Sequence, residues 1–211
     1  MKNDKALLWR RMKRYLLIAA LVVVAFFYYR VVRAELHRKL FVAVSLTGRQ
    51  HHGPNFNISE FYVNGYDGSN VGREGGGGSQ VCCVLFPKKW RPALVVEVRW
   101  AVSDWSKENR AEIDAQNYKS ITSTCFRAMV PVEKYETAER VFVHFFPGGK
   151  VRVVSGFADP ENHDQIYIDD DPNAADIATV GQQVDAVFTD AEIAEMQREH
   201  DNRSTFFEDW R

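Results

Sequence analysis

Between residues 40 and 155 the chain keeps running short β-branched or aromatic stretches into turns that carry glycine or proline. That rhythm constrains the fold more than any motif does. Residues 40–46 (LFVAVSL), 58–64 (ISEFYVN), 80–86 (QVCCVLF), 94–100 (LVVEVRW) and 124–132 read as strands. Phe61 and Val63 share one face of their stretch. Leu94, Val96, Val98 and Trp100 share one face of theirs, as a period of two requires. Residues 140–146 (RVFVHFF) and 150–154 (KVRVV) flank Pro147-Gly148-Gly149, a hairpin signal because glycine supplies the positive φ of a tight turn. Residues 47–57 and 65–79 read as loops, and 103–120 as a polar insertion with one helix. No repeat and no alternation of strands with helices is present. The expectation is a mainly β fold, a β-sandwich or open barrel of about 6–8 strands.

The first 38 residues belong to a different regime. Residues 15–29 (YLLIAALVVVAFFYY) carry no charge. Fifteen helical residues reach about 22 Å, short of a ~30 Å hydrocarbon core. Extension through Arg30 to Val32 gives roughly 27 Å, with Arg14 and Arg30 able to snorkel. Lys2, Lys5, Arg10, Arg11, Lys13 and Arg14 precede the run, which predicts a cytoplasmic N-terminus and a body outside the cytoplasm. Two alternatives compete with this inner-membrane anchor. One is a signal peptide cleaved near Val32-Arg33-Ala34, and the other a buried soluble helix. The flank after the run is also basic (Arg30, Arg33, Arg38, Lys39), which works against the orientation.

Charge divides the chain in three. Residues 1–39 hold ten Lys/Arg and two Asp/Glu, residues 40–155 fourteen and eleven, residues 156–211 three and fifteen. We therefore expect a basic stub and transmembrane anchor over 1–38, a β domain over 39–155 and an acidic extension over 156–211. In the extension, Thr189-Asp190-Ala191-Glu192 has capping-box spacing and predicts a short helix near 190–200. Phe206, Phe207 and Trp210 are expected to dock on the domain or on a partner. The body's small net charge argues against nucleic acid, despite Lys88, Lys89, Arg91 and Arg99 near Trp90 and Trp100.

Chemistry-bearing motifs are few. The four glycines at 75–78 end in Ser79-Gln80, without the lysine of a phosphate-binding loop, though such a run can form an anion nest. Adjacent Cys82 and Cys83 lack metal-site spacing and would point to opposite faces of a strand. Either can pair with Cys125 in an oxidising compartment; the alternative is three buried thiols. His51 and His52 are neighbours in a loop, far in sequence from His144 and His163. His144 shares strand parity with Phe142 and Phe146 and reads as a packed or edge histidine. Ser79, Ser103 and Ser155 lack a nucleophile elbow. No catalytic residue, metal or cofactor is assigned.

Several of these residues together resemble the bacterial domain of unknown function 3304. They are Leu46-Thr47-Gly48, then Phe61, Val63, Asn64 and Gly65, the glycine run with Cys82-Cys83, and Trp90-Arg91-Pro92. Val98-Arg99-Trp100, Val143-His144-Phe145 and Val151-Arg152-Val153 complete the pattern. The resemblance covers about half the chain. It departs at residues 49–52, and by a longer insertion after Trp100. It implies an envelope protein, of a kind often encoded beside type VI secretion lipase effectors, hence an immunity protein. On that basis the expected function is protein binding at the periplasmic face, with Arg49, His51, His52, Arg73, Glu74, Trp90, Asp169, Asp170 and Asp171 as candidate partner contacts. Two alternatives stand beside it: a ligand- or metal-binding domain or enzyme using the His51/His52 and glycine loops, and a structural subunit of an envelope complex.

Overall fold

The hairpin expected around Pro147-Gly148-Gly149 lies inside the first of two sheets in the computed structural model, which describes residues 2–73, 75, 81–156 and 173–208. Its strands are β7 (Arg140–Phe146) and β8 (Lys150–Gly156), and both turn glycines have positive φ. With β1 (Phe41–Gln50), β4 (Val81–Pro87) and β9 (Thr179–Val180) they form a sheet ordered β4-β1-β7-β8-β9. The second sheet is ordered β10-β6-β5-β2-β3. Its strands are β2 (Phe56–Val63), β3 (Tyr66–Asp67), β5 (Val95–Asp104), β6 (Thr122–Pro131) and β10 (Gln182–Val184). The fold is thus mainly β, with two five-stranded sheets rather than 6–8 strands in all. Asn64-Gly65, both with positive φ, close a two-residue hairpin between β2 and β3, where the sequence predicts a strand through Asn64 and a loop from Gly65.

The sheets meet through aromatic side chains. Phe145 lies 5.2 Å from the Phe61 ring and 5.8 Å from Trp100, centroid to centroid, and all three are fully buried. Val96, Val98 and Trp100 face inward from β5 and Phe61 and Val63 from β2, so the two-residue periodicity reads true. Gly48 is required by close approach, because a Cβ there would overlap Val71 and the Phe61 ring.

β1 overruns its expected end. It continues to Gln50 because it pairs in parallel with β7, with Arg49 opposite His144 and Gln50 opposite Phe145. The insertion holds the short helix α2 (Arg110–Asp114), capped by Asn109. β9 and β10 each add a strand to one sheet, and Ala174 packs on Phe146 and Val154.

The capping box forms as expected. Glu192 Oε2 accepts from the Thr189 backbone N–H and hydroxyl, and the Glu192 N–H donates back to Thr189 Oγ1. The helix it opens, α3 (Asp190–Glu208), outruns the expected 190–200. Glu192 also accepts from Arg99 Nη2 at 2.8 Å, while the Arg99 guanidinium stacks on Phe188 and donates to Glu97 and the Val187 carbonyl. The Arg99 hydrogen bond, with those from Thr189, holds the Glu192 carboxyl down at about 2. A carboxyl depressed in the folded state stabilises above its unfolded value of about 4.3 and loses that contribution as pH falls through 2. Amide protection factors in α3, referred to intrinsic exchange at each pH, should therefore fall across that window. Glu192→Gln should show the faster exchange already at pH 7, and equal protection in both proteins would dismiss this account of the docking.

The N-terminal unit, residues 1–42, is the helix α1 (Lys2–Leu40) and the first residues of β1. Among the described residues its apolar side chains are exposed, from Tyr15 and Leu16 through Phe26 and Phe27 to Val31. Among the described residues no helix is long and apolar enough to cross a membrane.

Candidate functional site

The parallel pairing of β1 with β7 brings together histidines 93 residues apart. His51 follows β1 directly, and its N–H donates to the Phe145 carbonyl at 2.8 Å. Its ring stacks on Phe146, centroids 4.5 Å apart, and its Nε2 lies 3.0 Å from His144 Nδ1. One proton serves that contact. Whichever ring donates, His144 Nε2 is left buried without a hydrogen-bond partner, either as an N–H or as a lone pair. His144 is fully buried on the face of sheet β4-β1-β7-β8-β9 that also carries Phe142 and Phe146. Burial, the His51 ring, Arg49 and Arg152 all hold its imidazole well below the ordinary value.

Gln50 fixes the loop that carries His51 and His52. Its Oε1 accepts from the His52 N–H at 2.7 Å. Its Nε2 lies 2.9 Å from the Arg73 carbonyl and 3.3–3.4 Å from those of Gly53, Phe56 and Gly72. The Gln50 N–H donates to the Gly75 carbonyl. The histidine loop and the start of the glycine run are therefore neighbours. Burial and then the adjacent His51 bring the His52 imidazole down to about 4, and its Nε2 also lacks a partner.

The structure gathers only some of the expected contacts. Arg49, His51 and His52 belong to this cluster through β1. Arg73 joins it through its backbone, while its side chain spans Pro54, Glu108 and the Trp105 ring. Trp90 is held elsewhere, its indole N–H donating to the Val132 carbonyl at 2.9 Å. Glu74, Asp169, Asp170 and Asp171 lie outside the described residues, as do His163, the glycines at 76–78 and the side chains of Phe206, Phe207 and Trp210. Gln50 and the ion pair of Glu133 with Arg152 on β8, Nε to Oε1 at 2.7 Å, do not emerge from the sequence. Only strand register reveals the first, and only the fold the second. Among the described residues no three His, Cys, Asp or Glu side chains are placed to hold a metal ion.

The expected disulfide partner is corrected. Cys82 and Cys83 are bonded to each other across a cis peptide bond, and Cys125 is a free thiol. β4 and β6 belong to different sheets, so a link to Cys125 would have to bridge them. Burial, with Glu60 adding to it, pushes the Cys125 thiol up. A link between neighbours closes the smallest loop in the chain. It contributes about 1 kcal/mol in the chain-entropy model, against roughly 4 kcal/mol for a Cys82–Cys125 loop.

Residues 52–153 match the family model described as a protein of unknown function, DUF3304. The match supports the resemblance carried by the cysteine pair and the tryptophan motifs, and leaves α1, β1 and the C-terminal extension outside it. No curated protein and no solved structure matches the chain.

Proposed function

We propose that this chain is a membrane-tethered protein-binding domain. The observation that carries the reading is α1, whose described side chains from Tyr15 to Tyr29 are apolar or aromatic and exposed on all faces. A helix apolar all round needs lipid or a protein around it, and arginines bound this one at 14 and 30. Tethered at a bacterial inner membrane, the β domain would stand in the periplasm with its exposed sheet surfaces available. One such face presents Val95 and Met129, exposed diagonal neighbours on β5 and β6, beside Glu97 and Arg127. Apolar contacts rimmed by charge suit a protein partner. The partner class we propose is a lipase effector that an immunity protein would occlude, as the resemblance implies.

Full-length protein mixed with liposomes should float with them, and residues 40–211 should remain at the bottom of the gradient. Flotation of both, or of neither, would sink the tether. For the partner, the soluble piece should abolish the lipase activity of a toxin encoded beside it in stoichiometric amounts, and undiminished activity would remove the immunity role.

A second reading has its own support. The buried, partnerless nitrogens of His144 and His52, in the loop cluster that Gln50 ties to Gly75, suit a small-ligand site at the β1 end. That reading requires saturable binding of a ligand that shifts the His52 or His144 imidazole resonances.

A further inference from the structure

We propose that the Cys82–Cys83 pair is a thiol–disulfide exchange site whose substrates are dithiols and disulfides. Three observations support it. The bond joins sequence neighbours, so it ties together no distant parts of the fold and does little as a staple. Its place is accessible: β4 is an edge strand of its sheet, Cys82 is exposed and Cys83 partly so. The pair is also self-contained. Cys125 lies in the other sheet, half-buried with its thiol pushed up by burial, so it is poorly placed to resolve a bond formed at β4.

The chemistry follows from adjacency. A thiolate of the incoming dithiol attacks one sulfur of the pair, forms a mixed disulfide and releases the neighbouring cysteine as thiolate. The dithiol's second thiolate then attacks its own bound sulfur, closes its disulfide and leaves both cysteines reduced. Two electrons and two protons pass from the dithiol to the protein. In the reverse direction one cysteine attacks a substrate disulfide and its neighbour resolves the mixed product. Exchange at an exposed edge needs no unfolding, which separates this site from a buried structural bridge.

The test uses the full-length protein in detergent, with native iodoacetamide trapping and intact mass. As isolated in air, the peptide bearing residues 82 and 83 should take up no label. After brief native treatment with dithiothreitol it should take up two, and oxidised glutathione should return it to none, with Cys125→Ser behaving identically. The melting temperature should move by no more than a few degrees on reduction. Cys82→Ser should instead trap one glutathione on Cys83. Free thiols at 82 and 83 after air oxidation, a bond to Cys125, or reduction only after unfolding would each overturn the proposal.

Discussion

Replacing Glu133 by alanine is expected to destabilise the β domain by about 3 kcal/mol, among the largest effects of any single polar substitution in the chain. Arg152 on β8 is almost wholly buried. Its Nε and Nη2 donate to the two carboxylate oxygens of Glu133 at 2.7 and 3.0 Å, and its Nη1 donates to the Ala174 carbonyl at 2.9 Å. Removing the carboxylate leaves a guanidinium in a desolvated place with one acceptor. Losing one partner of a buried pair costs about 3–5 kcal/mol, and the one-third exposure of Glu133 puts this case at the lower end. Urea unfolding of residues 40–211 measures it directly. Because the charge left behind is the cost, Glu133→Ala combined with Arg152→Met should recover much of the loss. A double variant as weak as the single would mean that the carboxylate acts through something other than Arg152. The same pair ties residues 173–178 to the sheet, so amide protection around Ala174 should fall in parallel.

That dependence shows why the C-terminal extension was hard to place from sequence. Its composition is dominated by acids, and the average reads as a solvated tail. The residues that make it part of the fold are few: Ala174 in a small apolar contact, Thr179 and Val180 as a short edge, and Gln182 to Val184 on the other sheet. Strands of two or three residues carry no periodicity to detect. The capping box at Thr189, by contrast, is local chemistry and was legible. The Arg99 that Glu192 engages lies 93 residues away and was not.

The central strands were legible because burial on one face forces alternation, as in Val96, Val98 and Trp100. β1 ended early in the reading because Thr47, Arg49 and Gln50 are polar, yet Thr47 and Gln50 are buried in the fold. Parallel pairing with β7 lends those residues hydrogen bonds that no local pattern announces. The histidines follow the same logic. Strand parity sufficed to see His144 as packed beside Phe142 and Phe146. Its contact with His51 depends on the β1–β7 register, which only the fold supplies. Asn64-Gly65 is the opposite case, a hairpin signal present in the letters and passed over because a long glycine-rich stretch follows it.

Those buried histidines should make the domain acid-labile well above the range where carboxylates are protonated. An unfolded histidine binds its proton near pH 6.5. His144 in the fold resists protonation because it is buried and faces His51, Arg49 and Arg152; His52 resists until about 4. The unfolded chain therefore binds more protons than the folded one below 6.5, and stability falls as pH falls through that window. The loss is absent above about 6.5, and for a group as buried as His144 its slope approaches about 1.4 kcal/mol per pH unit. His52 adds less, being partly exposed. Denaturant midpoints of residues 40–211 between pH 7.5 and 4.5 should drop steeply below 6.5. His144→Phe keeps an aromatic ring beside Phe146 and has nothing to protonate, so its midpoint should change much less over the same interval. An equally steep fall in His144→Phe would place the proton uptake on other groups and leave the His51–His144 contact a packing feature alone.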